Sequence, residues 1–369
     1  NKIHKYDCLI VGAIMIGCLT ALSLLKKKFK VLVIDKGDLS INDTRTLAVN
    51  AKSRDFLKNL NLWSGLKQTQ SIKNIYIKDY INTEELIFEN KEEDMGTVIY
   101  NKDLLKKVRK ILLDKKLLYK NIDVSLVKFL QSKKTIISNK QIEFKKIILT
   151  AGKFFNDELI INKKTFDEGH ISHVGFFNHT QDHQNNAYEI FTSKGPLAVL
   201  PAPDKSQKYS TFIYSSKINR KINFHSLISN YFTNTHGKIV LNGNINSFAI
   251  TPHISSPIKN DLLLLGDTLR SIHPVAGQGW NLGVKDITTF VNLLDRYSID
   301  DPNLYKFYYA RRRVDSFAYL SFTSLLNSFY ENENNLNKFF VKFGFQSLLN
   351  ISFLRNIFIK QAMGRISLV

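Results

Sequence analysis

The stretch that most constrains what this chain can fold into runs from Asp261 to Asp286 and reads DLLLLGDTLRSIHPVAGQGWNLGVKD. Four consecutive leucines stopped by Gly266-Asp267 fit a short strand covered on both faces better than an amphipathic helix. Gly277, Gly279 and Gly283 then crowd the start of a helix whose apolar positions Ile287, Phe290, Val291 and Leu294 recur at helical spacing. Glycines there leave peptide N–H groups uncovered at the positive end of a helix dipole, where an anion or a ring that becomes one is held. The carboxylate of Asp267, on the turn before, is placed to accept hydrogen bonds from a polyol.

A second glycine turn lies near the N-terminus. Cys8 to Val11 reads as a strand, Gly12 to Gly17 as a turn, Cys18 to Lys28 as a helix, and Lys30 to Ile34 as a strand ending in Asp35. That is a βαβ unit of the size dinucleotide sites use, with an acid at the tip of the second strand for a ribose hydroxyl. The glycine pattern departs from the fingerprint, because Ile14 stands where the middle glycine lets the backbone approach a pyrophosphate. The apolar run Cys8 to Leu25 follows a basic start, as in a signal peptide or a membrane span, but its glycine and threonine interruptions and the strand that follows favour the βαβ reading.

At 369 residues the chain suits two domains, or one divided domain with an appendage. Its formal charge of +20 raises nucleic acid or an anionic membrane as partners. No nucleic-acid motif accompanies the charge, so it reads as a generally basic surface with weak attraction to anionic membranes. Cys8 and Cys18 read as small buried thiols of a reducing compartment. His170, His173, His179, His183 and His225 lack a metal-ligand spacing, and no metal site is expected.

Between the glycine turns, Asp43 to Leu66 carries Arg45 and a helix with Phe56, Leu57 and Leu60. Lys73 to Glu89 reads as two strands, Val98 to Tyr100 as another, and a helix follows with Leu104, Leu105, Val108 and Leu112 buried. Strands are expected at Val124 to Phe129, Thr135 to Ser138 and Lys146 to Thr150. His170 to Ser216 reads as a mostly antiparallel sheet with a turn at Gly195-Pro196, Phe224 to Thr235 as a helix, and Ile245 to Pro252 as the return to the first domain. From Asp301 the chain reads as helical and aromatic, with an arginine cluster from Tyr308 to Asp315. The expected divisions are 1–72, 97–155 and 253–300 for the first domain, 73–96 and 156–252 for the inserted one, and 301–369 for a helical region.

Three sets of residues carry a resemblance to a known family. Leu265-Gly266-Asp267, the run His273 to Gly283 and Asp286 form the first set. The second is His183-Gln184-Asn185-Asn186-Ala187, with Phe191 and the run Gly195 to Pro201. The third is Arg45, Leu62-Trp63, Asn101, Tyr308, Arg311, Arg312 and Asp315, in that order along the chain. Together they resemble the FAD-dependent aromatic-ring hydroxylases, and within them the hydroxylases of ubiquinone biosynthesis. The resemblance implies an α/β fold (α+β overall): a Rossmann-like FAD-binding domain, an inserted mostly antiparallel substrate domain and a C-terminal helical segment. It implies FAD as cofactor, NAD(P)H as reductant, and O2 and a polyprenyl phenol as substrates. The cofactor supplies the hard chemistry, which is why no triad or metal cluster stands out.

By the same resemblance, Gly12, Gly17 and Asp35 would hold the adenosine end of FAD. Arg45 and Asn101 would lie at the outer flavin or phosphate face, and Gly266 and Asp267 at the ribityl chain. Gly277, Gly279, Trp280, Asn281 and Leu282 would lie at the pyrimidine edge, where backbone N–H groups would stabilise charge on the reduced ring. Pro274 would present a rigid carbonyl and ring near the reacting carbon, and His273 would act as a proton relay or a loop hydrogen bonder. Two departures bear on this: Ile14, and Ala151 and Phe155 at positions where the family has an aspartate and a serine. They motivate an alternative, a catalytically weakened scaffold subunit among other ubiquinone-biosynthesis proteins. A same-fold monooxygenase with another substrate is the second alternative. Phe339 to Met363, aromatic among lysines and arginines, reads either as helices packed on the first domain or as a segment resting on a membrane. The expected location is cytoplasmic, with a peripheral place on the inner membrane face in the second case.

Overall fold

The computed structural model describes residues 2–123, 125–151, 159–165, 169–217, 221–250, 252–257, 261–272, 278–331, 334–351, 355–356 and 359–360. Its organising element is a parallel sheet in the order Leu262–Leu264, Lys140–Leu149, Ile3–Val11, Val31–Ile34, Leu118–Tyr119. Leu9, Ile10, Val31, Val33, Ile147, Leu149, Leu262 and Leu264 are fully buried, which is why these strands read as unbroken apolar runs. Val11 pairs with both Ile34 and Leu149, and Leu149 pairs with Leu264. The four strands therefore end along one rim, the edge at which doubly wound sheets hold ligands. Helix Met15–Lys26 packs beside helices Asn101–Asp114 and Gln278–Leu293.

Leu262–Leu264 lies at the end of this sheet, and two adjacent tyrosines cover its outer side. The Tyr309 hydroxyl accepts from Leu264 N at 2.9 Å and donates to Leu262 O at 3.0 Å, and Tyr308 donates to Leu264 O at 2.8 Å. An unpaired strand edge is thereby satisfied by phenols from helix Pro302–Glu331.

The second layer is a seven-stranded sheet in the order Ile239–Ile250, His170–His179, Tyr209–Lys217, Gly195–Pro201, Asn186–Thr192, Asn74–Asp79, Leu86–Glu89. Its neighbours are antiparallel except for Asn74–Asp79 with Asn186–Thr192, which run parallel. Helix Phe224–His236 buries Ile228 and Phe232 against it. Two smaller sheets join the layers: Thr46–Asn50, Gly96–Tyr100 and Thr69–Ile72, and Ile160–Thr165, His253–Pro257 and Arg270–Ser271.

Three local expectations are corrected. Residues Leu126–Ser132 form a helix, not a strand: Leu126, Phe129 and Leu130 are buried at three- and four-residue spacing while Val127 is 39% exposed. Gly195-Pro196 opens a strand instead of making a turn. Gly195 has φ +140°, and a Cβ there would lie 1.8 Å from Ser215 O, so glycine permits the close approach of the neighbouring strand. Residues 245–250 do not leave the inserted sheet but continue its outer strand, and His253–Pro257 makes the return.

Helix Asn335–Asn350 places Phe345, Leu348 and Leu349 against the strands around Ile72 and Leu86. Among the described residues no helix is long and apolar enough to cross a membrane.

Candidate cofactor-binding site

At the rim, Gly12 has φ +109°, and a Cβ on it would lie 2.9 Å from Ala151 N, so the turn requires glycine both for conformation and for space. A Cβ on Gly17 would lie 2.1 Å from Gly12 O, which shows how tightly the helix is pressed onto the turn. Thr150 Oγ1 donates to Gly12 O at 2.9 Å, locking the turn to the adjacent strand. Ile14 is half-buried in extended backbone, φ −78° and ψ 175°, a conformation open to any residue.

Ile14 precedes helix Met15–Lys26, which has no side-chain cap and no acid in its first turn, while residues Met15 to Leu24 are all buried. A buried helix start whose first N–H groups lack a side-chain acceptor fits a phosphate ligand. Arg109 adds positive charge beneath the turn, donating to Ala13 O at 2.8 Å and Leu39 O at 3.2 Å. Sequence reasoning missed it, because a cation on an amphipathic helix looks like a solvated one. Asp35 sits at the strand tip as expected, but its carboxylate already accepts from Ala13 N at 2.7 Å and Gly37 N at 2.8 Å. Any ribose contact would use its remaining lone pairs.

Arg45 and Asn101 are brought together by a residue the sequence did not single out, Asp43. Arg45 grips Asp43 through Nε at 3.0 Å and Nη2 at 2.9 Å, Asn101 Nδ2 donates to the same carboxylate, and Asn101 N donates to Arg45 O at 3.0 Å. Burial alone would raise the Asp43 pKa, but the bonds from Arg45 outweigh it and hold the carboxyl below the usual range. The Arg45 guanidinium is held above its usual value, first by Asp43 and, at longer range, by Asp267, so Arg45 and Asp267 lie within electrostatic reach of each other.

Asp267 is exposed on the tight turn Gly266–Thr268, which starts at Gly266 with φ +65°. That turn is positioned from below by a buried ion network. Asp286 accepts from Gly266 N at 2.9 Å, from Arg270 through both terminal nitrogens, and from Arg312 Nε at 2.6 Å. Arg312 and Lys285 both reach Asp315, and Arg270 Nε donates to Ser316 Oγ at 3.0 Å. Arg270, Asp286, Arg312 and Asp315 are each at most 2% exposed. Burial would raise Asp315, but Lys285 and Arg312 hold it below the usual carboxylate range. The sequence signal for Arg270 was a lone cation in an otherwise apolar stretch. Arg311, grouped with Arg312 by the resemblance, is exposed.

On helix Gln278–Leu293, the expected contacts divide. The Asn281 side chain is occupied in tying two segments together, accepting from Asn50 N at 3.1 Å and donating to Ala48 O at 2.9 Å. Leu282 is buried, and Trp280 packs on the core with its indole Nε1 buried and without a hydrogen-bond partner among the described residues. A Cβ on Gly279 would meet only ordinary contact, 3.9 Å from Ile272. Gly283 is the sterically demanding glycine: a Cβ there would lie 2.7 Å from Ile16 Cδ1, and the same isoleucine packs 3.4 Å from where a Cβ on Gly266 would lie. Ile16 thus joins the two glycine turns. His273, Pro274, Gly277 and Phe155 lie outside the described residues.

The rim thus brings a helix start with Arg109 nearby to the first turn and the exposed carboxylate of Asp267 to the second. No family model matches the chain. Over 98% of its length it is 25% identical to the ubiquinone hydroxylase UbiL of Rhodospirillum rubrum, covering 90% of that protein. It is 22% identical to 3-demethoxyubiquinol 3-hydroxylase of Escherichia coli, over 96% of this chain and 97% of that one. Among solved structures, p-nitrophenol 4-monooxygenase of Pseudomonas putida superposes with a TM-score of 0.75 at 14% identity, covering 99% of this chain and all of that one. The FAD complex of a Klebsiella pneumoniae HpxO variant superposes with a TM-score of 0.71 at 10% identity, again over 99% of this chain and all of that one. Over nearly its whole length the chain is thus similar to ubiquinone-biosynthesis hydroxylases, and it shares the fold of the FAD-dependent monooxygenases.

Proposed function

We propose that this chain is an FAD-dependent monooxygenase that uses NAD(P)H and O2 to hydroxylate the ring of a polyprenyl phenol in ubiquinone biosynthesis. The observation that carries the reading is near full-length similarity to ubiquinone hydroxylases on a rim that gathers Gly12, Asp35, Arg45 and Asp267. Bound FAD would take a hydride from NAD(P)H and deliver one atom of O2 to the ring, the other leaving as water.

The chain's own residues bind and orient. The start of helix Met15–Lys26 and the nearby Arg109 hold the pyrophosphate, and Asp35 the adenosine ribose. Asp267, aimed by the Asp286 network, holds the ribityl hydroxyls, and Arg45 the outer face. Backbone N–H groups of Gly279, Trp280, Asn281 and Leu282 support the pyrimidine edge. The roles of His273, Pro274 and Gly277 rest on the resemblance alone, with His273 a proton relay or a hydrogen bonder and Pro274 near the reacting carbon.

Ile14 and Ala151 favour a second reading, a scaffold subunit that keeps the fold without the flavin. Titration of the purified protein with FAD separates the two. A yellow protein that oxidises NADH or NADPH when given a prenylated phenol is the expected result. A colourless protein that gains no flavin spectrum overturns the enzyme reading in favour of the scaffold. Asp267→Ala should weaken FAD binding by about tenfold or more, the worth of a charge-assisted hydrogen bond. Unchanged occupancy would remove Asp267 from the site.

A further inference from the structure

One face of the seven-stranded sheet is covered by helix Phe224–His236, where Tyr188, Ile190, Phe212 and Tyr214 pack with Ile228 and Phe232. Its other face turns toward the parallel-sheet layer. There Ala187 and Leu200 pack with Ile72 and Val98 of a small joining sheet, and the Phe176 ring lies 6.4 Å from that of Tyr100. The pairings Glu189↔Ala198, Ala198↔Ile213, Ile213↔Val174 and Val174↔Asn246 set these residues in one row across that second face. At one end of the row Asn246 donates to Thr44 Oγ1 at 3.2 Å, between Asp43 and Arg45 of the rim. Toward the other end sits a buried carboxyl group, Glu189, 7% exposed.

Glu189 is the single acidic residue in the four strands His170–His179, Asn186–Thr192, Gly195–Pro201 and Tyr209–Lys217. Its same-face neighbours along the strand are covered, Ala187 by the joining sheet and Phe191 by the Tyr330 ring at 4.7 Å. In its row, Val174 and half-buried Ile213 join none of the apolar cores among the described residues, so they face the space between the layers. A second polar group lies on this face. Ser215, two residues beyond Ile213, is 1% exposed, and its Oγ has no hydrogen-bond partner among the described residues. An apolar wall with a few placed polar groups is how small-molecule sites fix a ligand's orientation. Glu189 and Ser215 are two strands and two residues apart, roughly 12 Å across the sheet. A six-membered ring with oxygens on opposite sides, and a hydrogen bond to each, spans about the same length.

We propose that Glu189 and Ser215 orient the substrate ring, Glu189 accepting from a phenolic hydroxyl and Ser215 donating to a second oxygen substituent on the opposite side. The inference rests on the hydroxylase reading and deepens it, because it names the groups that choose the ring and the oxygens that ring carries. Neither residue belongs to the set assigned to FAD. Substrate binding can therefore be read apart from flavin binding and apart from turnover.

The test is calorimetric titration of the full chain, with FAD present, using a short-chain prenylated phenol, its methyl ether and the matching prenylated hydroquinone. The parent should bind the phenol about tenfold or more tighter than the ether, the worth of a hydrogen bond to a charged group. Glu189→Gln, which keeps the side chain's shape, should shrink that preference to about threefold or less. Ser215→Ala should leave it intact and remove the gain of hydroquinone over phenol, about fivefold in the parent. Circular dichroism, thermal midpoint and flavin titration of both variants should match the parent. Equal binding of phenol and ether by the parent overturns the proposal, as does an undiminished preference in folded Glu189→Gln. An unchanged hydroquinone gain in Ser215→Ala overturns the part given to Ser215. A parent that binds flavin and none of these ligands overturns the proposal; one that binds the phenols but no flavin overturns the enzyme reading and leaves the proposal standing.

Discussion

Two buried polar clusters, one in each main sheet layer, meet the cost of burial in opposite ways. Beneath the Gly266–Thr268 turn, Arg270, Asp286, Arg312, Asp315 and Lys285 form a network in which each has an oppositely charged partner within hydrogen-bond reach. In the inserted sheet, His179, His183 and His236 gather among Phe177, Tyr188 and Phe232, with the His179 ring 4.6 Å from His236 and 6.0 Å from His183. Among the described residues no carboxylate hydrogen-bonds to these rings; Asp182, Lys208 and Lys78 act on them electrostatically. The histidines are therefore kept neutral: burial first, then His179, pushes His183 down to about 4 and His236 to about 3. A buried group either finds a counter-charge or gives up its own.

The contrast predicts how each cluster breaks. Asp286→Ala should have the largest effect, about 3–5 kcal/mol of stability, because it takes the carboxylate from the buried Arg270 guanidinium and leaves Arg312 with Asp315 alone. The loss would appear as a lower urea midpoint, and a loss under 1 kcal/mol, against the several expected, would mean the arginines find other partners.

Acid should act next, and on the histidines first. A histidine whose folded pKa is depressed binds its proton more readily when unfolded. Its neutral form therefore stabilises fully above the unfolded value near 6.5, and stability falls as pH drops from there toward 4. The slope should be about 1.4 kcal/mol per pH unit for each such histidine. Asp315, depressed by its cationic partners, contributes stability above the ordinary carboxylate pKa and loses it only below about 4. Urea midpoints measured at pH 7, 6 and 5 should thus fall, and His183→Gln should flatten the slope by about one proton. A flat profile over that interval would show that the histidine cluster opens to water.

Lys285→Met should have the smallest effect, about 1 kcal/mol or less, since Lys285 is the partly exposed edge of the network, its side chain 25% accessible. A larger loss would make Lys285 an integral member of the network.

Some of this organisation was legible before any coordinates. The leucine run and Gly12 announced a parallel sheet with glycine turns at its rim, because unbroken apolar runs and positive-φ positions are local properties. The helix at Leu126–Ser132 was misread because Val124 and Val127 suggest a strand, while burial follows Leu126, Phe129 and Leu130. Gly195 was recognised as special but given the wrong reason: what forbids a side chain there is Ser215 O on the neighbouring strand, distant in sequence.

By itself the sequence determined the buried parallel strands, the glycine turn at Gly12 and a list of candidate residues for a flavin. Only the tertiary structure decided which of them are engaged elsewhere: Asn281 spent on Ala48 and Asn50, Arg45 clasped to Asp43, Asp35 already holding Ala13 N. It also decided that Arg270 and His236, unmarked in the chain, belong to buried clusters. Periodicity follows from a residue's near neighbours along the chain. Pairing depends on which side chains the folded sheets bring within about 3 Å, and that distance is set by contacts far apart in sequence.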